Sequence, residues 1–153
     1  MRSRTARIVA AAVSAATTLA ACSGGPSKED FIAAADDVCR EADERVAEIG
    51  RLRSEDDIAE YVEQTKEVSV DLVSSLRELE APEADQARFE DMIDGIERAT
   101  DLLGPMAQAV IERREDGFDE LQQELGQIAE DVNDFAESYG FEVCGAKVLE
   151  PVR

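Results

Sequence analysis

The chain has no histidine and no tryptophan, and aromatic residues make up only 5% of its 153 positions. Without an imidazole, the Ser/His/Asp and Cys/His nucleophilic arrangements are ruled out. So is the set of glutamates and Glu-x-x-His pairs with which helical bundles hold two metal ions. A serine with a lysine base would need Lys28, Lys66 or Lys147 buried beside a serine, and the local sequence offers no such pairing. Cations are also scarce, with 16 Lys and Arg against 36 Asp and Glu and a net charge of −20. Beyond the first 21 residues the largest basic cluster is Arg113-Arg114, too little to neutralise a phosphate backbone, so nucleic-acid binding is excluded. There is no glycine-rich phosphate loop. The acidic runs Asp36-Asp37, Glu55-Asp56-Asp57 and Glu115-Asp116 lack the ligand order of a calcium loop and read as helix caps and solvated faces. The three cysteines include no Cys-x-x-Cys pair, and two of them without a histidine make no zinc site. The expectation is therefore no enzyme, no cofactor and no metal.

What is present begins at the amino end. Arg2, Arg4 and Arg7 precede an apolar run of Ile8, Val9, alanines, Val13 and Leu19 that ends in small residues, which is the layout of an export signal. The run is short, mostly alanine and interrupted by Ser14, Thr17 and Thr18, whereas a spanning helix needs about 20 strongly apolar residues. The arginines are separated, so the twin-arginine pattern is missing. Leu19-Ala20-Ala21-Cys22 resembles the lipobox of bacterial lipoproteins. That resemblance implies cleavage before Cys22, removal of residues 1–21 and lipidation of the Cys22 sulfur, usually with acylation of the new amino end and with palmitate among the acyl groups. Losing three arginines and no acid leaves a net charge of about −23 on the rest. Such a body is repelled by an anionic membrane surface, so the lipid must supply the attachment.

Residues 22–27, with Ser23-Gly24-Gly25-Pro26-Ser27, form a short flexible tether. Ser27 and Asp30 then have capping spacing, and Phe31, Ala35, Val38, Ala42, Val46 and Ile49 recur at steps of three and four, predicting helix 1 over about 28–51. Ser54 with Asp57 repeats the signature ahead of Ile58, Val62, Thr65, Val68, Leu72, Leu76 and Leu79, which is helix 2, to about residue 80. Pro82 stops it, and helix 3 is expected from Glu83 onward on Phe89, Ile93, Ile96, Ala99 and Leu103. A kink or break is expected at Gly104-Pro105, where the proline removes a helical hydrogen bond. Asp116 is the predicted cap of helix 4, whose apolar positions Phe118, Leu121, Leu125, Ile128, Val132, Phe135 and Tyr139 repeat every seven residues until Gly140 ends them. From Gly145 the chain is expected to fray, leaving 146–153 as a C-terminal tail.

Four helices of similar length with short connections predict an all-α fold, an up-down-up-down antiparallel four-helix bundle spanning 28–145. If Cys22 carries lipid, Cys39 and Cys144 remain as an even pair in an exported, oxidising compartment. In that topology helix 4 ends where helix 1 begins, so the segment carrying Cys144 folds back to Cys39, giving one disulfide from helix 1 to the C-terminal tail. The body also resembles a group of small helical secreted or lipid-anchored proteins of actinobacteria. The likeness rests on Asp37-Val38-Cys39, on Ala81-Pro82, and on the closing Tyr139-Gly140-Phe141-Glu142-Val143-Cys144-Gly145. It spans most of 28–145, although many of those proteins have two prolines where this chain has one. It implies a cysteine pair and a helical bundle, and no reaction.

The functional expectation is a lipid-anchored protein on the extracytoplasmic face of the cell membrane, acting as a non-enzymatic interaction or scaffold module. Its acidic helical faces suit a basic envelope protein or peptide. The alternative is a binding protein for an apolar or amphipathic small molecule, with a pocket opened at Gly104-Pro105 near Met106 and Phe118.

Overall fold

The computed structural model describes residues 25–52 and 54–145, so the expected export signal over 1–21, Cys22 and the expected tail 146–153 lie outside the described residues. Four helices follow one another: α1 (Lys28–Ile49), α2 (Ile58–Arg77) after a single 3-10 turn at Glu55–Asp57, α3 (Gln86–Ile111) and α4 (Glu115–Tyr139). Each packs on its neighbour in sequence. Phe31 at the start of α1 lies 4.7 Å from Phe89 at the start of α3 and 6.0 Å from Tyr139 at the end of α4, centroid to centroid. Successive helices thus run in opposite directions, in the up-down-up-down order.

The start of α1 is set as its sequence dictates. The Asp30 N–H donates to Ser27 Oγ at 3.1 Å and the Ser27 hydroxyl donates to the Asp30 carboxylate at 2.8 Å, which satisfies an end group the helix cannot pair itself. At α2 the Ser54 and Asp57 side chains do bond at 2.9 Å, but they close the 3-10 turn, and the α-helix begins one residue later without a side-chain cap. The expected start of α3 at Glu83 is corrected to Gln86. Pro82 to Asp85 forms a turn, with the Asp85 N–H donating to the Pro82 carbonyl at 2.8 Å. The cap assigned to Asp116 is corrected as well, since α4 already includes Glu115. Arg113 takes a left-handed conformation (φ 55°), reverses the chain early and leaves Glu115 and Asp116 in the first turn, where the helix dipole favours them.

Of the two expectations at Gly104-Pro105, the break is excluded: α3 runs unbroken through Pro105. The proline is exposed, so the carbonyl it leaves without a helical partner is at the water-facing side, while Ala99, Leu102, Met106 and Ala109 keep the inner stripe continuous.

A single apolar core joins the four helices and the closing segment. Its largest fully buried side chains are Phe31, Leu76, Ile93, Ile96, Cys39 and Cys144. The aromatic rings Phe31, Phe89, Phe135, Tyr139 and Phe141 gather at the end where α1 begins and meet mainly edge to face, with centroids 4.7–6.3 Å apart. Toward the other end the seven-residue stripe of α4 is covered less well, and Phe118, Leu121 and Leu125 are only half-buried. The molecule is therefore tightly closed at the end that leads to Cys22 and looser at the far end.

Candidate functional site

The chemistry-bearing residues fall into two places, a buried clamp on the closing segment and an acid-walled groove on the surface. The clamp starts at Gly140, which ends α4 in the left-handed region (φ 103°). The N–H groups of Gly140 and Phe141 both donate to the Ala136 carbonyl at 3.0 Å, and the chain doubles back toward α1. There Cys144 is bonded to Cys39, with the two Cα atoms 5.3 Å apart and both residues buried. The bridge expected between helix 1 and the tail is present.

Three residues before Cys39, and so on the same face of α1, stands Asp36, only 5% exposed. Its carboxylate accepts three backbone N–H groups, from Glu142 at 2.9 Å, Val143 at 2.9 Å and Cys144 at 3.0 Å. This corrects the reading of Asp36-Asp37 as caps and solvated faces. Asp37 is exposed and pairs with Arg40, but Asp36 is an interior acceptor that satisfies the amides of a segment lacking secondary structure. The correction extends to Gly145, where fraying was expected. It is buried at φ 94°, and a Cβ there would lie 2.4 Å from Ala136 Cβ and 3.7 Å from Asn133 Cα.

A second long-range polar contact closes the same end. The Tyr139 hydroxyl donates to Asp85 Oδ2 at 2.9 Å, so the carboxylate at the head of α3 serves the end of α4 rather than its own helix. Burial, reinforced by that hydrogen bond and by the negative charge of Asp85, pushes the Tyr139 phenol up to about 12. Lys28 Nζ sits 4.0 Å from the centroid of the same ring.

On the surface, the ion pairs among the described residues use four arginines. Arg40 pairs with Asp37, Arg45 with Asp71, Arg77 with both Asp94 and Glu97, and Arg114 with Glu112. All are exposed and individually worth little. The hydrogen bond it donates to Glu97, then that to Asp94, raises the Arg77 guanidinium above its ordinary value. Exposed acids such as Glu41, Glu63, Glu67, Asp91, Asp101 and Asp131 have no ion pair or hydrogen bond in the described structure.

Two grooves follow the bundle. One, of about 640 Å³, lies between α3 and α4, with Met92, Gly95, Val132 and Phe135 as its floor, Asp91, Asp94, Glu97, Asp101 and Asp131 on its walls, and the two cations Arg88 and Arg98 among them. The other, of about 780 Å³, runs from Gly25-Pro26 across Leu76, Phe89 and Ile93, with Glu78, Glu80, Glu83 and Glu90 around it. Met106 and Phe118, the residues expected beside an opening at Gly104-Pro105, are half-buried and line neither groove. Among the described residues no three Cys, Asp or Glu converge as a metal site requires, and no helix is long and apolar enough to cross a membrane.

Sequence reasoning placed Cys39 and Cys144 but missed the acceptor between them. The signal was available in part, because Asp36 shares a helix face with Cys39 and any partner of that cysteine must bring its backbone past the carboxylate. Asp85 with Tyr139, 54 positions apart, and the α3–α4 groove required the tertiary arrangement. Known protein families, characterised proteins and solved structures contain no match to this chain.

Proposed function

We propose that the chain is a bacterial lipoprotein, cleaved before Cys22, anchored through that residue's lipid on the extracytoplasmic face of the cell membrane, and that its helical body is a non-enzymatic interaction or scaffold module for a basic envelope protein or peptide. The observation that carries the partner's chemistry is the large excess of exposed carboxylates over cations on the outer helix faces. A field of one sign steers and holds a partner of the other, and salt weakens it. The anchor rests on the arginine, apolar and small-residue order that ends in Leu19-Ala20-Ala21-Cys22. A disulfide and a buried clamp holding the closing segment suit a body that works outside a reducing cytoplasm. The apolar-ligand alternative has no specific observation in its favour.

Two measurements test the two halves of this proposal. The Cys22→Ser chain should stay unprocessed and lose its lipid, as read by gel shift and mass; processing and acylation like the parent would remove the anchor. Crosslinking in the intact envelope followed by mass spectrometry should enrich a protein with a basic surface at low salt and lose it as salt is raised. Enrichment that ignores salt would remove the electrostatic partner.

A further inference from the structure

We infer that the α3–α4 groove is the docking site for an arginine-bearing peptide segment of the basic partner. This rests on the reading of the body as a basic-partner module and deepens it by naming the place and the side chain.

Three observations converge on this groove. First, Asp91, Asp101 and Asp131 reach it from both helices without an ion pair or hydrogen bond, so cations can approach them without displacing an existing partner; Asp94 and Glu97 are already engaged by Arg77. Second, the floor is apolar and shallow at a defined place. At Gly95 a Cβ would be 2.6 Å from Val132 Cγ2, so the two helices approach each other closely beneath the walls. Third, the groove already holds a guanidinium. Arg88 from the head of α3 lies 4.8 Å from the centroid of Phe135. An aromatic face flanked by carboxylates is the environment that suits guanidinium, which stacks on the ring and bonds acids in its plane. The spacing adds a constraint on the partner. Asp91 and Asp101 are ten residues apart on one helix, about 15 Å. An extended peptide covers that distance in about five residues, so arginines five positions apart match the two ends of the wall.

The test uses the full-length disulfide-bonded protein and a fluorescently labelled synthetic peptide with two arginines five residues apart and neutral residues between them, with affinity read by anisotropy at low and at physiological salt. Asp91→Asn/Asp101→Asn/Asp131→Asn should weaken binding about tenfold, since each exposed charge contact contributes modestly. Glu41→Gln/Glu63→Gln/Glu67→Gln, which removes the same charge from α1 and α2, should weaken it less than about threefold by loss of general attraction alone. Arg88→Gln, which clears the Phe135 face and removes a repelling cation, should tighten it. Equal weakening by the two triple variants would overturn the groove while leaving a diffuse acidic attraction in place. Absence of binding by the parent at low salt would overturn the basic-partner reading together with the groove.

Discussion

Asp36 and Asp85 are ordinary acids by composition and uncommon ones by position, because each reaches across the chain to close the same end of the bundle. For Asp85 the partner titrates, which gives a pH signature. The Tyr139 phenol is held neutral in the folded protein up to about 12, whereas in the unfolded chain it ionises near its ordinary value of 10.0. Below pH 10 both states carry the proton and the contribution to stability is complete. Between about 10 and 12 only the unfolded state releases it, so stability falls as pH rises, by on the order of 1–3 kcal/mol. Urea denaturation of the parent at stepped alkaline pH should show that decline, and Tyr139→Phe, which has no proton to lose, should flatten it. An identical slope in the two proteins would mean that other groups cause it. The same variant should be less stable at neutral pH by about 1 kcal/mol, the usual worth of a hydrogen bond whose acceptor is left behind.

At the level of the elements, helix identity was legible because the apolar spacing is regular, and so were the start of α1 at the Ser27 cap and the stop of α4 at Gly140, while the starts of α3 and α4 were not. The Gln86 start reflects the Pro82–Asp85 turn, and α4 begins early because Arg113 accepts a left-handed backbone. Nothing local announces either. The unbroken course of α3 is the same lesson in reverse: a proline whose cost is about 3 kcal/mol in isolation is outweighed where the inner stripe continues on both sides and the disturbed face meets water. Glycines inside these helices separate packing from propensity. At Gly104 and Gly126 a Cβ would meet nothing within 4 Å, whereas at Gly95 it would meet Val132 Cγ2 at 2.6 Å. Gly126→Ala should therefore stabilise the fold by about 0.5–1 kcal/mol through helix propensity alone, and Gly104→Ala should gain less, because a Cβ there crowds the ring of Pro105 that follows it in the helix. Gly95→Ala should destabilise it by about 1–3 kcal/mol, because Val132 is β-branched and cannot swing its methyl aside cheaply. Thermal melts of the three variants would check this, and a stabilised Gly95→Ala would show that α3 and α4 are free to separate.

Taken whole, the architecture could be read from sequence to the level of topology and disulfide, since helix count, short connections and an even cysteine pair constrain each other. What escaped was the second device that holds the chain shut, the Asp36 carboxylate. Cys39–Cys144 covalently ties the closing segment to α1, and Asp36 bonds three amides of that same segment, so two devices act on one piece of backbone. The bridge closes a loop with a sequence separation of 105, for which the chain-entropy treatment gives about 4–5 kcal/mol, with about 2–5 common when native bridges are removed. Their shared target makes their energies interdependent in a direction that can be stated beforehand. With the bridge intact, Asp36→Ala leaves the amides of Glu142, Val143 and Cys144 confined near α1 without an acceptor, a loss of about 2–4 kcal/mol. With Cys39→Ser/Cys144→Ser, the segment can leave α1 and let those amides reach water, so the same Asp36→Ala should cost less, by about 1 kcal/mol or more. A double-mutant cycle from urea denaturation isolates that difference. Agreement of the two costs within about 0.5 kcal/mol, the ordinary limit for independent sites, would mean that clamp and bridge hold separate parts of the molecule. A larger cost in the bridged background would establish that the closing segment behaves as a latch with two fastenings.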